Sequence, residues 1–149
     1  MAQAKTLRFS EQALLLGDGA EPEVFTAPCG FTSLNLTVNI ETSTTNVPDC
    51  EDPDLPAWLA SDEVSKQMVL GGDGVLDTEA VVMWRDWLLE GGERNVRWLT
   101  DGASNDEANG YFEAPGILTT YEETGTRGER WSLNIGITLN GAPTFTAVS

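Results

Sequence analysis

The feature that most constrains this chain is a pair of segments in which apolar and polar residues alternate with a period of two. In residues 34–41, Leu, Leu, Val and Ile alternate with Asn, Thr, Asn and Glu. In residues 131–140, one Trp and four aliphatic residues alternate with Ser, Asn, Gly, Thr and Asn. Successive side chains of a strand point to opposite faces of a sheet, so each segment predicts a strand with one apolar face. We therefore expect a mainly β fold.

One segment, residues 77–91, departs from this period. Its apolar residues, among them Trp84, Trp87 and Leu88, recur at helical spacing. Asp77 is a suitable N-cap, and the glycine pair that begins at Gly91 is a typical helix stop. The pattern predicts one amphipathic helix that covers a sheet face.

Weaker patterns predict further strands and turns. A Gly-rich run at residues 71–74 is expected to be a turn before the helix, and Asn140-Gly141 a hairpin turn that leads to a returning strand at residues 144–148. The other strand predictions cover residues 6–16, 66–70, 95–99, 110–113 and 117–123.

Residues 42–64 are predicted to be a long, acidic, proline-containing loop. Unstructured stretches of this length are uncommon in compact domains and tend to be functional. Trp58 lies in this segment between Leu55 and Leu59. It is either an aromatic anchor of an interface or a side chain that folds back onto its own core, while the remaining four Trp lie on periodic apolar faces and are expected in the core.

Composition excludes several functions. The chain has 149 residues with 24 acidic and 8 scattered basic ones, no histidine, and a formal net charge of −16. The missing histidines exclude His-based catalysis and His-containing metal sites. A chain this acidic should repel DNA rather than bind it, because phosphate contacts need local positive charge.

No residue pattern predicts a catalytic, cofactor or metal site. The acidic clusters at residues 49–54 and 101–107 lack the spacing of a calcium loop, so we interpret them as solvated loop acids. Cys29 and Cys50 lack the spacing of a zinc or redox motif and are expected to be reduced thiols. No signal peptide or apolar run of about 20 residues is present, which favours folding in the cytoplasm without a membrane partner.

The two alternating strands also lack the residues that protect sheet edges. Neither carries Lys or Pro, which monomeric proteins place on exposed strands to prevent pairing with other chains. This pattern indicates a β protein built for self-assembly.

Taken in order along the chain, these segments resemble a phage-type major tail protein, the tail tube subunit, particularly those of gene transfer agents. The resemblance rests on residues 6–16, the alternating strand at 32–41 with its acidic loop, the Gly-Asp-Gly run before the helix, and the closing segment at 128–144. It covers nearly the whole chain.

The resemblance implies a single tail tube domain over residues 1–149, with a β-sandwich or barrel-like fold and one flanking helix, related to type VI secretion tube proteins. It further implies a structural, non-enzymatic role in hexameric rings that stack into a tube, assembled in the bacterial cytoplasm and located in the tail of a virion or phage-like particle. DNA would pass through the lumen without specific binding. The implied partners are other copies of the chain and the tail terminator, tape measure and distal tail proteins.

The resemblance also assigns roles to particular positions. The loop at residues 42–64 is expected to contact the next ring through Leu55, Trp58 and Leu59, and residues 1–8 and 145–149 are expected to act as arms between subunits. The polar strand faces are expected to line the lumen; these positions are Asn35, Thr37, Asn39, Glu41, Asn134 and Thr138.

Three other functions are consistent with the sequence. A secretion-system tube shares the architecture and would differ in its genomic neighbours. A monomeric carbohydrate-binding β-sandwich would use Trp58 and Tyr111 as sugar platforms. A hydrolase that depends on paired carboxylates would reveal itself by activity on glycosides.

Overall fold

A computed structural model describes residues 3–17 and 24–147. The strands and the single α-helix within these residues are β1 (Gln12–Gly17), β2 (Phe25–Thr26), β3 (Phe31–Val47), β4 (Trp58–Val75), α1 (Ala80–Glu90), β5 (Arg94–Thr100), β6 (Gly110–Thr124), β7 (Ser132–Leu139) and β8 (Thr144–Ala147). Two short 3-10 helices cover Phe9–Glu11 and Asp106–Ala108. The prediction of a mainly β protein with one helix is confirmed.

The strands form one antiparallel sheet in the order β2-β1-β5-β6-β7-β4-β3, and β8 pairs with β6. Strand β6 joins the two parts of this sheet because its halves have different partners. Residues 110–116 pair with β5, and residues 116–124 pair with β7. Strand β8 pairs with residues 110–113, on the side that β7 occupies further along.

One core cluster contains residues from both parts of the sheet, so the sheet curves around this cluster. Strands β1 and β5 contribute residues such as Leu14 and Val96, and β4 and β7 contribute residues such as Leu70 and Ile137. Each of these four side chains is at most 2% exposed. The expected barrel-like architecture with a flanking helix is thus present, and burial of this cluster supplies the main stabilising contribution.

Helix α1 packs two tryptophans into this core, as its period predicts. Trp84 and Trp87 are 0% and 1% exposed, and their rings stack with centroids 6.2 Å apart. The carboxylate of Asp77 accepts a hydrogen bond from the Ala80 amide at 3.3 Å, although the N-cap position itself is occupied by Glu79 and not by Asp77 as predicted. The helix ends where the Gly91 amide donates to the Trp87 carbonyl at 2.8 Å. Within the described chain, no helix has the length and apolarity to cross a membrane.

Two secondary-structure predictions are wrong around β3 and β4, and a third gives a strand that is too short. Residues 42–64 are not an irregular loop, because β3 continues to Val47 and β4 begins at Trp58, which leaves only residues 48–57 outside the strands. The predicted strand at 66–70 is the middle of this longer β4. The glycines at 71–74 lie in β4 rather than in a turn, because the partner strand passes close by. A Cβ at Gly71 would lie 2.5 Å from the Asn35 side chain.

Other predictions need correction elsewhere in the chain. Strand β8 pairs with β6 and not with β7, so Asn140-Gly141 does not close a hairpin between neighbours. The strands predicted at 110–113 and 117–123 are one strand, and the one predicted at 6–16 begins only at Gln12. Trp131, predicted in the core, is 57% exposed, and Leu88, predicted on the apolar face of the helix, is 50% exposed. Strand β7 begins one residue after Trp131, at the end of the sheet.

Candidate assembly surfaces

Strand β3 forms one edge of the sheet and is unprotected. It has 17 residues, contains no Lys, Arg or Pro, and pairs with β4 alone among the described strands. Glu41 is its one charged residue. An open edge of this length presents a row of backbone donors and acceptors to another strand. The self-assembly hypothesis, made for two strands, therefore applies to β3 only, because β7 lies inside the sheet between β6 and β4.

A second open edge belongs to the C-terminal half of β6. Over the described residues, β5 pairs with β6 only as far as Gly116, so residues 117–124 have no strand on that side. Strands β3, β4, β7 and the C-terminal half of β6 are consequently a four-stranded antiparallel group with a free edge at each end. Its two outer strands run in opposite directions.

The six polar positions predicted to line a lumen lie on one face of this group. Thr37 pairs with Val69, which also pairs with Thr138, so these side chains form one row across three strands. Asn134 faces Asp73 in the same way. Asn35, Asn39 and Glu41 alternate with the core-side residues of β3 and complete the set.

The charge on this polar face is entirely acidic. Over the paired rows of the four strands it carries Glu41, Asp73 and Glu122, and no Lys or Arg. Glu41 accepts a hydrogen bond from the Ser65 hydroxyl at 3.3 Å. The opposite face of the same strands carries the core residues, so one sheet separates an apolar interior from an acidic, hydroxyl-rich surface.

Beyond Glu41 the β3–β4 hairpin extends away from the core. A register shift between Glu41 and Thr42 marks a bulge, and the ladder then continues from Thr42 paired with Glu63 to Val47 paired with Trp58. All residues of this extension are exposed. A bulge bends a hairpin locally, so the extension can leave the plane of the sheet.

The tip of the hairpin, defined here as residues 48–57, is ordered by its own acids. The Asp49 carboxylate accepts hydrogen bonds from the amides of Glu51 at 2.8 Å and Asp52 at 3.3 Å. The Asp52 carboxylate accepts one from the Asp54 amide at 3.3 Å. These short-range bonds favour a defined loop over a flexible one.

Large apolar side chains are exposed at and beside the tip. Trp58 is 87% exposed, Leu59 is 65% exposed and Leu55 is 50% exposed. The alternative that Trp58 folds back onto its own core is therefore wrong. Leu55, Pro56, Ala57 and Trp58 line one shallow concavity. Exposed apolar groups clustered in this way mark an interaction surface.

A polar cluster ties helix α1 to β6 beside the free edge. Tyr121 donates a hydrogen bond to the Glu123 carboxylate at 2.5 Å, and Arg85 of the helix donates to the same oxygen at 3.2 Å. Burial, followed by the bond to Glu123, raises the pKa of Tyr121 to about 12. The bond from Tyr121, followed by Arg85, lowers the pKa of Glu123. The cluster therefore links the side chain of Arg85 on the helix to strand β6.

No group of His, Cys, Asp and Glu within the described residues is arranged to hold a metal ion. Cys29 and Cys50 are both exposed free thiols.

The sequence profile of the family described as phage tail tube protein matches residues 6–145 of this chain. The chain belongs to the phage tail tube protein family. Among curated proteins, no sequence matches it. The family match covers β1 to β7, the helix and the first two residues of β8.

Solved structures show the same fold for this tail tube protein. A chain from the tail of an empty gene transfer agent particle, refined with C6 helical symmetry, superposes with a TM-score of 0.77 at 17% identity, covering 95% of this chain and all of that one. A chain from the virion of a native gene transfer agent gives 0.74 at 16% identity, over 95% and 100%. A tube-terminating cap chain of the anti-feeding prophage gives 0.62 at 12% identity, over 99% and 95%.

The structure brings together some of the predicted site residues and leaves others apart. The six polar-face positions share one surface, and Leu55, Trp58 and Leu59 share another. Of the predicted arms, residues 1–2 and 148–149 lie outside the described residues, while Phe145 belongs to β8 and contacts Phe112 of its own chain. The free edge of β6 was not predicted, because it depends on where β5 ends in space.

Proposed function

We propose that this tail tube protein forms six-membered rings that stack into a tube through which DNA passes. The main support for this proposal is the unprotected 17-residue edge of β3. The fold also matches that of a chain from a gene transfer agent tail that was solved with C6 symmetry. An edge of this kind is an aggregation hazard in a monomer and an assembly device in a closed ring.

Ring closure follows from the two free edges. The β3 edge of one copy pairs with residues 117–124 of β6 in the next copy. Because the four strands alternate in direction, rotation about the ring axis brings antiparallel strands together at every junction. The result is a closed barrel with no exposed edge.

The dimensions of such a barrel suit a DNA channel. Six copies of the four-stranded group make a barrel of 24 strands. With strands about 4.8 Å apart and tilted by about 40°, the backbone diameter is about 50 Å. Side chains narrow this channel by about 10 Å, which leaves a lumen wider than a DNA double helix.

The polar face lines this lumen in the proposed tube. Asn35, Thr37, Asn39, Glu41, Asn134 and Thr138 would then face the DNA. Their face has no basic residue across its paired rows, and six copies carry 6 × −16 = −96 formal charges. Phosphates find no cation to bind, so the DNA stays mobile along the axis.

The hairpin extension contacts the adjacent ring. From Val38, at the margin of the core, to Val47 at its outer end, β3 advances about 30 Å at about 3.3 Å per residue. The exposed Leu55, Trp58 and Leu59 at its end become buried on stacking. A buried tryptophan at an interface of this kind is a typical hot spot.

The same proposal sets the other partners and the location. The tube is a non-enzymatic part of the tail of a virion or gene-transfer-agent-like particle, assembled in the bacterial cytoplasm. Tail terminator, tape measure and distal tail proteins occupy its ends and its lumen. Residues 1–8 and 145–149 add contacts between subunits.

A pair of matched substitutions tests ring closure. Val38→Lys places a cation on the β3 edge, where Lys blocks pairing with another strand. Val82→Lys makes the same change on the outer face of α1. Val38 and Val82 are 43% and 57% exposed, so neither variant loses much core packing. We expect the Val38→Lys protein to stay monomeric and the Val82→Lys protein to form rings and tubes, as counted by electron microscopy.

A far-ultraviolet circular dichroism spectrum establishes that both variants are folded. Tubes of normal number and length from Val38→Lys would show that the β3 edge is not a subunit junction. Loss of rings and tubes in Val82→Lys alone would indicate that the subunits join through helix α1 and not through β3.

A further inference from the structure

We infer that the acidic tip of the hairpin docks on one particular turn of a second copy, the turn at residues 125–131 that ends in Trp131. This inference rests on the proposed stacking of rings and adds the receiving surface. The occupant is a second copy of this chain, held by apolar contact and by opposite charge. We call residues 125–131 the receiving turn.

The two surfaces lie at opposite ends of the same sheet. The tip adjoins the first residue of β4, Trp58, whereas the last residue of β4, Val75, pairs with Ser132 next to the receiving turn. The 18 residues of β4 span about 55 to 60 Å at about 3.3 Å per residue. Copies stacked head to tail therefore bring the tip of one against the receiving turn of the next.

The receiving turn presents an aromatic ring that its own chain does not bury. Trp131 is 57% exposed, and its ring lies over Gly125, where an added Cβ would come within 2.6 Å of the ring carbons. Val75, which pairs with Ser132 at the same end of the sheet, is 43% exposed. This end of the sheet therefore exposes two large apolar side chains.

The loop geometry of the receiving turn is defined. The Glu129 amide donates to the Thr126 carbonyl at 3.0 Å, and Gly128 has a φ of +90°, which a side chain rarely adopts. The turn therefore presents Arg127 and Arg130 from an ordered backbone.

Charge matches the two ends. The tip carries four acids and no basic residue, and the receiving turn carries two of the eight basic residues of the chain with one acid. The guanidinium groups of Arg127 and Arg130 form no ion pair with any described residue, and both residues are exposed. A basic turn in a chain of net charge −16 is an attractive site for an acidic loop.

The two sides also match in apolar character. Trp58 and Leu55 at the hairpin end are 87% and 50% exposed, and Trp131 in the receiving turn is 57% exposed, so both sides offer apolar surface to a second copy. Because the contact joins two different surfaces, it does not close on itself and each copy can bind the next. This is the symmetry that a stacked tube needs.

Cross-linking through the natural Cys50 tests the inference. Cys50 lies in the tip and is exposed. The test protein carries Cys29→Ser and, in the receiving turn, Thr126→Cys or Glu129→Cys. The control carries Cys29→Ser and Asp86→Cys on the outer face of α1. Each is assembled, treated with a short bis-maleimide and resolved on a denaturing gel.

We expect a ladder of covalent oligomers from both receiving-turn variants, and loss of that ladder when Cys50→Ser is added. The control should give monomers only. Tubes that form without a ladder in both variants, or an equal ladder from the Asp86→Cys control, would overturn this docking while leaving the stacked tube intact. Failure of the unaltered protein to form tubes would instead contradict the proposed function, and the docking with it.

Discussion

The β3–β4 hairpin extension (residues 42–63) and the rest of the described chain, called the body here, are stabilised in different ways, although β3 and β4 run through both. In the body, β4 alternates strictly, with Met68 and Leu70 in the core and their neighbours facing outwards. In the extension, from Thr42 to Glu63, both faces of the ladder are exposed. In the body one face of β4 is buried in the core, whereas the extension is held by backbone pairing.

This difference separates the residues that stabilise the fold from those that are available for assembly. Side chains that a monomer buries stabilise the fold, and apolar side chains that a monomer leaves exposed are available to another copy. Trp84 and Trp58 represent the two classes, with exposures of 0% and 87%. Substitutions at these two positions should separate stability from assembly.

The largest effect is expected in the body. Trp84→Ala removes a fully buried ring that packs against Trp87 and Phe31. Loss of such a side chain lowers the free energy of unfolding by about 3 to 5 kcal/mol. Urea unfolding followed by circular dichroism measures this change. A loss below about 1 kcal/mol would show that the helix does not complete the core.

In the extension, Trp58→Ala should leave the monomer almost unchanged, within about 0.5 kcal/mol in urea unfolding. Each contact in the tube should weaken by about 2 kcal/mol, because a hot-spot ring is lost from the interface. Tube length by electron microscopy and the protein concentration needed for assembly report this effect. Trp131→Ala is the matched substitution at the receiving turn, and normal tube length in both variants would exclude the proposed stacking contact.

A smaller effect is expected on the polar face of the body. The double variant Asn134→Lys with Thr138→Lys, on strand β7 inside the sheet, adds two positive charges per copy to the proposed lumen and leaves the β3 edge unaltered. Tubes of this variant should retain duplex DNA at low salt and release it as salt rises, since phosphate contacts are salt-dependent. Asp86→Lys on the outer helix face is the control. Equal DNA retention by both would place the polar face outside the lumen.

The smallest effect concerns the cluster that joins α1 to β6. The pKa of Tyr121 is raised from 10.0 to about 12, so the unfolded chain loses this proton first as the pH rises. The stability contributed by Tyr121 is complete below pH 10 and is lost between about pH 10 and 12. Between about pH 10 and 12, the free energy of unfolding of Tyr121→Phe should therefore fall less than that of the unaltered protein. Urea unfolding at each pH measures this difference.

At the acid side the sign is opposite. Because the pKa of Glu123 is lowered, its contribution is present above the ordinary glutamate range and is lost as the pH falls below it. Tyr121→Phe removes the hydrogen bond that contributes most to the lowered pKa of Glu123. The free energy of unfolding of this variant should therefore also fall less on acidification. An unchanged pH profile at both ends would show that the cluster does not couple the helix to the sheet.

The alternation of apolar residues predicted the body correctly where one face is buried. Strand β7 and the inner half of β3 followed the period, and the helix carried its two tryptophans inwards. Such patterns record burial within one chain. Trp131 is in phase with the apolar residues of β7, but it lies at the end of the sheet, where the core does not cover it.

The extension was missed for the same physical reason. Residues 42–47 and 59–64 bury neither face, so no apolar period marks them as strands. Their ladder is visible only from backbone pairing. The glycines at 71–74 were misread because close strand approach, rather than a turn, requires them. The free edge of β6 could not be predicted, since it depends on which residues β5 reaches.

If the open β3 edge joins six copies into a ring, the purified protein should assemble as its concentration rises. Electron microscopy at low and high concentration, with light scattering for mass, detects this assembly. We expect particles with six-fold end views and hollow side views, and a scattering mass of at least six times 16.1 kDa. Rings with another number of subunits, or hydrogen exchange of the β3 amides that is as fast in the assembly as in the monomer, would show that β3 does not join six copies.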